Sequence, residues 1–493
     1  MNGGLTRTAA STSLESPAAA AKLTFDRGTL LLTLRQIRIR SSEFAGEGWK
    51  WDARVGVWRR MAIDYARVRQ ALRPRFGVAF QDDVRKPPPV HWPRCDLPAL
   101  REDQEAALAA WRDAHGRGVI VMPTGTGKTE IALAAMHRTG VATLIVAPIR
   151  DLMHQWHHRI FRRLGYDAGM VGDSLFNLRP ITVTTYDSAY IHMAEMGDRF
   201  GLIIFDEVHH LPGPSFREAA MLCAAPFRLG LTATPERSDG RERDLAQLVG
   251  PVVYLQQISH AKGRTLADFD VVRIPVALDE QEQSRYDAAG RVLRAFLASR
   301  RLNGQPHYGW QDLCADSGKD PLARHALRAY HFRKSIENRA TEKLRVLKDL
   351  FRLHGGERVI VFAGSNLMAM DVSRRFLVPT LLSHSRKKER RAVLEGFAAG
   401  TFPVLVANRV LDEGVDIPAA KVAIVIGGQA STRQAKQRLG RVLRKSGNAR
   451  AVLYEVVCVD TNDEQRSRKR RRSDAYEKVR RRIPKRLHQN LAD

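Results

Sequence analysis

Short runs of Val, Ile, Leu and Phe recur through the middle of the chain, and the stretches between them read as helices. Between residues 97 and 258 the runs are Val119–Val121, Thr143–Val146, Ile181–Thr184, Leu202–Phe205 and Leu229–Leu231. They are continuous rather than alternating, which predicts a parallel sheet covered by helices on both faces. A second series, Arg358–Phe362, Val404–Val406, Val422–Ile426 and Val452–Val457, predicts another such lobe within residues 259–460. Residues 279–337 interrupt that lobe with mostly helical pattern, broken at Asn303-Gly304-Gln305-Pro306 and Ser317-Gly318. Ahead of both lobes, residues 23–85 read as a small α+β module. Its strands come from Leu23–Arg40 and from two short runs around Gly56, and its helix from Asp64–Leu72. Residues 86–96, opening Lys86-Pro87-Pro88-Pro89, read as a stiff linker. Residues 1–22 and 461–493 read as a disordered tail and a basic tail.

Composition narrows the function. The formal charge of +27 on 493 residues calls for a polyanionic partner, nucleic acid before membrane. From Arg466 onward there are 12 Lys/Arg against 3 Asp/Glu, a net of +9, so +18 resides elsewhere and the basic character is not a tail effect. Cys95, Cys223, Cys314 and Cys458 form no C-x-x-C pair, which argues against a zinc ribbon or iron–sulfur cluster and suits a reducing compartment. No apolar run of about 18 residues exists, so no membrane span is expected. The start of the chain lacks a basic n-region and an apolar middle, so no signal peptide is expected and a cytoplasmic or nucleoid location follows.

The chemistry begins at Val119-Ile120-Val121-Met122-Pro123-Thr124-Gly125-Thr126-Gly127-Lys128-Thr129. A strand, a glycine-bearing turn and a helix starting at Lys-Thr is the context a phosphate-binding loop needs. Gly125 and Gly127 let backbone N–H groups converge on anionic oxygens, and the helix N-terminus adds its positive end. Lys128 is placed to reach the β- and γ-phosphates of ATP and the Thr129 hydroxyl to ligate Mg²⁺, with Thr124 and Thr126 completing the loop. Met122 stands where the simple pattern has its first glycine. Downstream, Leu202-Ile203-Ile204-Phe205 ends in Asp206-Glu207, a buried strand delivering two acids. Asp206 suits Mg²⁺, and Glu207 suits orienting or deprotonating the attacking water. Each motif follows a strand, where ligands of parallel sheets gather.

With these residues in order the chain resembles the superfamily 2 helicases. Asp206-Glu207-Val208-His209 resembles their second motif, Leu231-Thr232-Ala233-Thr234-Pro235 the third, Asp412-Glu413-Gly414-Val415-Asp416 the fifth, and Gln437-Arg438-Leu439-Gly440-Arg441-Val442-Leu443-Arg444 the sixth. The N-terminal module and the helical insertion point to the XPB-like branch, whose module recognises damaged DNA. The resemblance implies two RecA-like lobes with a helical thumb. It implies that Gln104 reads adenine, that Thr232 and Thr234 couple hydrolysis to domain movement, that Asp416 touches the nucleotide, and that Arg441 and Arg444 reach the γ-phosphate as fingers. Gln437, Arg438, Arg441 and Arg444 share one helix face by spacing, a cluster that repels itself without an anion. Three departures stand out. Arg237-Ser238-Asp239 replaces the branch's Arg-Glu-Asp, Ile149-Arg150 follows Ala147-Pro148 where Thr is usual, and Asn408 replaces a Thr.

Contacts to nucleic acid are expected from Arg150, Gln155, Thr184, Thr185, Tyr186, Ser365 and Asn408, positioning a strand without reading its bases. For Thr184 and Thr185, strand-end hydrogen bonding is the competing role. Trp49, Trp51, Trp58 and Tyr65 either stack on bases or, more economically, build the small module's core. Tyr308 and Trp310 serve as a wedge or pack locally. The expected function is an ATP-driven DNA translocase or helicase of 3′-to-5′ polarity acting in DNA repair. Its partners are single-stranded or forked DNA, with little sequence specificity, and a companion nuclease or repair complex. The rivals are an RNA helicase of the same superfamily, a duplex-remodelling ATPase without strand separation, and a DNA clamp with a vestigial nucleotide site.

Overall fold

The computed structural model describes residues 20–35, 48–237, 239–256, 269–305, 307–382, 385–408, 420–427 and 451–471. The fifth and sixth motifs, including Asp416, Arg441 and Arg444, lie outside them, as do Ser238, residues 1–19 and the chain beyond Arg471. The chain divides into two compact units. One is made of Met1–Ile120, Glu130–Leu231 and Arg237–Val253, the other of Val121–Thr129, Thr232–Glu236 and Tyr254–Asp493.

The N-terminal module is a five-stranded sheet, β1 (Ala21–Asp26), β2 (Thr29–Leu34), β3 (Lys50–Asp52), β4 (Val57–Met61) and β5 (Phe80–Asp82), in the order β3-β4-β2-β1-β5. The β1–β2 hairpin turns through Arg27 and Gly28, both at positive φ (44° and 82°), the geometry that matches strand twist. Leu23, Leu30, Leu32, Trp49, Trp58, Tyr65, Val68 and Leu72 form its core, joined by Ala224 from the following lobe. Trp49, Trp58 and Tyr65 are therefore core residues, and only Trp51, 54% exposed, presents a ring to solvent. A side-chain carbon at Gly28 would fall 2.6 Å from Leu222 Cδ2, so the module sits hard against that lobe.

Residues 86–96 are not a free spacer. Val90 N donates to Gly140 O (2.8 Å) and Asp96 N to Arg163 O (2.8 Å), strapping the segment onto the lobe it precedes. The eight-stranded sheet that follows comprises β6 (Arg117–Val121), β7 (Thr143–Ala147), β8 (Gly169–Gly172), β9 (Leu175–Asn177), β10 (Ile181–Thr185), β11 (Leu202–Asp206), β12 (Phe227–Thr232) and β13 (Val252–Leu255). Its order is β13-β6-β12-β11-β7-β10-β8-β9. β7, β10, β11 and β12 pair in parallel, and their apolar residues are buried, as continuous apolar strands require. β6 also runs parallel to β12. Arg228 N donates to Gly116 O near one end and Met122 N to Thr232 O at the other, so the register advances in the same direction.

The second sheet is parallel throughout: β14 (Phe269–Val276), β15 (Val359–Phe362), β16 (Thr380–Leu381), β17 (Val404–Ala407), β18 (Val422–Val425) and β19 (Ala451–Cys458), ordered β14-β19-β18-β15-β17-β16. The insertion consists of the helices Glu280–Leu302, Trp310–Asp316 and Pro321–Arg339. The first opens with a reciprocal cap, Asp279 Oδ1 accepting from Glu282 N (2.8 Å) and Glu282 Oε2 from Asp279 N (3.2 Å). Phe296, Tyr308, Leu313, Ala323 and Ala326 fill its small core. Tyr308 is thus a packing residue, its hydroxyl donating to Asp316 (2.9 Å), while Trp310 stays 47% exposed against Tyr330. The segment expected as a basic tail starts instead as the helix Asn462–Arg471, docked by buried Asp463 and Ser467. Lys343 and Glu455 inside the lobe, which pair with Asp463 and Ser467, rather than the tail's charge, decide its first turns.

Candidate nucleotide and nucleic-acid sites

The loop between β6 and the helix Lys128–Thr139 has the backbone that its glycines permit, with Gly125 at φ 86° and Gly127 at φ 80°. Lys128 is 8% exposed, and its Nζ donates to Met122 O (3.0 Å) and Pro123 O (3.3 Å). The ammonium is thus held inside its own loop by neutral acceptors, which a phosphate oxygen would replace with a stronger, charged one. Thr126 is buried and its hydroxyl donates to Pro123 O (2.7 Å), fixing the loop's shape from within. Thr124 Oγ1 is buried and has no partner among the described residues. Thr129 begins the following helix, half-buried.

At the end of β11, Asp206 Oδ2 accepts from Trp156 Nε1 (2.9 Å) and Oδ1 from Glu207 N (3.0 Å). Each oxygen keeps a lone pair for a further ligand, which suits a hydrated divalent cation held by one carboxylate. Tyr186 OH donates to the Asp206 carbonyl (3.0 Å). Burial, and then the Asp206 and Glu207 carboxylates, hold that phenol well above its ordinary pKa, so it remains a donor. Glu207 is buried at φ 48°, ψ 55°, a left-handed conformation that costs a non-glycine residue about 1–3 kcal/mol and turns its side chain away from the strand direction. His209 Nδ1 lies 3.4 Å from Glu207 Oε2, fully buried. Arg237 donates to the His209 carbonyl and pairs with Asp239 (2.7 Å), whose carboxyl it holds well below the usual range. Ser238 is not needed for that pair. In the third motif Thr232 Oγ1 donates to Thr234 O (2.9 Å) and accepts from Thr234 N (3.1 Å), closing a tight buried turn after β12.

Gln104 is buried, and its Oε1 accepts from Arg101 N (3.0 Å) at the start of the helix Glu102–Asp113. Its side-chain carbonyl is engaged in holding that turn.

The expected nucleic-acid residues divide. Arg150 is exposed, tied to Asp173 Oδ1 (2.9 Å), and Gln155 is half-buried on the same helix, Arg150–Leu164. Thr184 is fully buried with its hydroxyl on Val171 O (2.7 Å), Thr185 caps the helix Tyr186–Met196 through Ser188 N (3.3 Å), and Tyr186 is spent on Asp206. Strand-end hydrogen bonding, the competing role, therefore engages these three side chains. Ser365, half-buried, caps the helix Asn366–Phe376 through Met368 N (3.2 Å), and Asn408 Nδ2 donates to Asn366 Oδ1 (2.7 Å). Both stand just past the carboxyl ends of β15 and β17. Trp156 escaped the sequence reading, while His209 and Arg237 entered it only as members of motifs, without a role of their own.

On the N-terminal module a cavity of about 460 Å³ is lined by Lys50, Trp51, Arg54, Arg59, Arg60 and Met61 among others. Arg54 and Arg59 pair with Asp52, and Arg60 with Asp64.

A glycine-lysine-threonine loop on one strand of a parallel sheet, with an Asp-Glu pair ending another, defines a phosphate-loop ATPase. Comparison with known proteins takes this further. Residues 97–237 match the type III restriction enzyme res subunit family, 342–446 the helicase conserved C-terminal domain, and 23–84 the xeroderma pigmentosum group B helicase damage recognition domain. The DNA 3′-5′ translocase XPB2 of Sulfurisphaera tokodaii is 40% identical over 430 residues, 87% of this chain and 97% of that protein. The DNA 3′-5′ helicase XPB of Mycobacterium tuberculosis is 31% identical, over 76% of this chain and 63% of its own length. Among solved structures, the Hef helicase domain of Pyrococcus furiosus aligns with TM-score 0.51 at 18% identity, covering 74% of this chain and 97% of that one. S. cerevisiae Dbp5 bound to RNA and ADP BeF3 aligns with TM-score 0.53 at 16% identity, covering 79% and 91%. At these identities the two structures speak to the fold alone. The chain belongs to the XPB-like branch of the superfamily 2 helicases, which are ATP-hydrolysing enzymes.

Proposed function

We propose that the chain is an ATP-driven DNA translocase that moves 3′ to 5′ and separates strands, working in DNA repair or related DNA processing. The observation that carries this is Lys128, buried in a glycine-shaped loop with its Nζ on the loop's own carbonyls, in a chain whose sequence follows the Sulfurisphaera tokodaii translocase over 87% of its length. ATP binding draws Nζ from Met122 O and Pro123 O to the phosphates. Thr129 and Asp206 would hold Mg²⁺, which would supply neutralisation of developing phosphate charge. Trp156 and the Glu207 amide orient the Asp206 carboxylate. Glu207, turned aside by its left-handed backbone and backed by His209, accepts the proton of the attacking water. Arg441 and Arg444 supply fingers for the terminal phosphate, and Asp416 a further nucleotide contact. Thr232 and Thr234 link turnover to movement.

Backbone contacts from Arg150, Gln155, Ser365 and Asn408 track the strand. The N-terminal module, with Trp51 at the mouth of its basic cavity, samples the duplex for damage. Relatives include a subunit of the general transcription and DNA repair factor IIH in Arabidopsis thaliana, 26% identical, which supports work inside a larger repair assembly. Among the described residues no helix is long and apolar enough to cross a membrane.

Forked DNA with either a 3′ or a 5′ single-stranded arm tests the reading. ATP-dependent displacement from the 3′-armed fork supports it. Equal displacement with and without ATP, or from the 5′ arm alone, refutes it. ATP turnover without displacement from either fork favours the duplex-remodelling alternative.

A further inference from the structure

Three buried charged side chains and a partly buried fourth, Arg466, meet where the insertion joins the second sheet. Lys343 Nζ, fully buried, binds Asp463 Oδ2 (2.7 Å) and donates to Ile426 O (2.9 Å). Glu337, also buried, accepts from Tyr286 OH (2.7 Å) and Asn462 N (3.1 Å), and Arg466 bridges Glu337 and Asp463. Two cations and two anions balance. A buried cluster of this kind adds little net stability over apolar packing, because desolvation offsets the attraction. What it supplies is a single geometry for the elements it joins. Those elements are the insertion helices carrying Tyr286 and Glu337, the helix Thr341–Leu353 carrying Lys343, the helix Asn462–Arg471, and the end of β18.

The end of β18 is gripped twice. Besides Lys343 on the Ile426 carbonyl, Asn338 lies against Gly427: a side-chain carbon there would fall 2.7 Å from Asn338 Oδ1 and 3.3 Å from Gly364 Cα. Asn338 is 3% exposed, and among the described residues its Oδ1 has no hydrogen-bond partner. It stands where β15 and β18 both end, at the carboxyl edge where parallel sheets act on ligands. Past Gly427 the sequence runs on to Arg441 and Arg444, and Gly364 precedes Ser365. The insertion is basic on its outside, with Arg285 near its root and Arg291, Arg294 and Arg301 further along the same helix, all exposed.

We propose that Asn338 and Lys343 are positioning residues that couple the helical insertion to ATP turnover by gripping the chain where it leaves β18. A polyanion on the insertion's arginines bears on its root, and the root holds the exit of β18 through these two side chains. The inference rests on the motor reading above.

The test compares wild type with Asn338→Ala, and with the double variant K343M/D463L, which replaces the ion pair by apolar side chains of similar size. Measured are the melting temperature, and kcat and KM for ATP with and without single-stranded DNA. A displacement of about 1 Å remote from the chemistry costs on the order of 10²-fold. We therefore expect DNA-stimulated kcat to fall roughly tenfold in N338A, with KM for ATP within about twofold and melting near wild type. A Gly427→Ala change should be harmful in the wild-type background and much less so in N338A, the signature of direct coupling. DNA stimulation equal to wild type in both variants, or losses that track only the folded fraction, overturns the inference. Absence of DNA-stimulated turnover in the wild type refutes the motor reading itself, which separates the two failures.

Discussion

Trp156 is the sharpest place to perturb the site, because its indole reaches the Asp206 carboxylate through one hydrogen bond. Trp156→Phe keeps a buried aromatic ring but deletes the Nε1–H that donates to Asp206 Oδ2 at 2.9 Å. A hydrogen bond to a charged group contributes about 1.5–3 kcal/mol. The Glu207 amide still holds Oδ1 at 3.0 Å, so the carboxylate is loosened rather than freed, and the lower end applies. At about 1.4 kcal/mol per tenfold, the expected effect is roughly a tenfold weaker hold on the metal. The assay is steady-state ATP hydrolysis against Mg²⁺ concentration. The midpoint should move up about tenfold, with most of kcat recovered at saturating Mg²⁺. An unchanged midpoint with lowered kcat at all Mg²⁺ concentrations would mean that Trp156 supports the fold of the strand end and does not orient Asp206.

Further consequences follow from other residues. Arg441→Ala should retain ATP binding while hydrolysis falls by about 10³–10⁵, as for other finger arginines; equal turnover refutes that role. Arg228 is fully buried, donating to the carbonyls of Ala220, Cys223, Ala225 and Leu248, and desolvation lowers its pKa to about 10. In Arg228→Met four acceptors lose their donor at about 1–3 kcal/mol each, while relief of that desolvation returns about 3, so denaturant unfolding should show a net loss of about 1–9 kcal/mol. Burial raises both the Cys223 thiol and the Cys458 thiol, the latter to about 11, whereas Cys95 and Cys314 are exposed. A thiol reagent at neutral pH should therefore titrate two cysteines in the native protein and four in denaturant; four at once in the native state contradicts the packing.

The phosphate loop was legible because its demands are local: two glycines at positive φ, a lysine and a threonine fall within a few residues of one strand. The Asp206-Glu207 pair was legible for the same reason. Trp156 was not, since its partner lies 50 residues away and a tryptophan on an amphipathic helix reads as core. The present partners of Thr184, Thr185 and Tyr186 were not legible, because polar residues at a strand end look available until their acceptors (Val171 O, Ser188 and Asp206 O) are known. β8 and β9 are short strands, the first with glycine at each end, joined through Asp173 and Ser174 at positive φ, without the Asn-Gly or Gly that marks such a turn. β14 was hidden by the Asp, Arg and Pro within Phe269–Val276, and its place beside β19 is set by pairing across 182 residues. The helix Asn462–Arg471 has almost no apolar residues. It is held by polar anchors whose partners include Lys343 and Glu337, distant in sequence, and Glu455 on the strand before it.

The central claim is that one chain couples ATP hydrolysis to DNA. Its most direct test is the steady-state ATPase rate of the full chain with no nucleic acid, single-stranded DNA, duplex DNA and RNA, with Lys128→Ala as the control. The account predicts strong stimulation by DNA, weak stimulation by RNA and no turnover in the control. Stimulation by RNA alone, or a rate that ignores nucleic acid altogether, would contradict it.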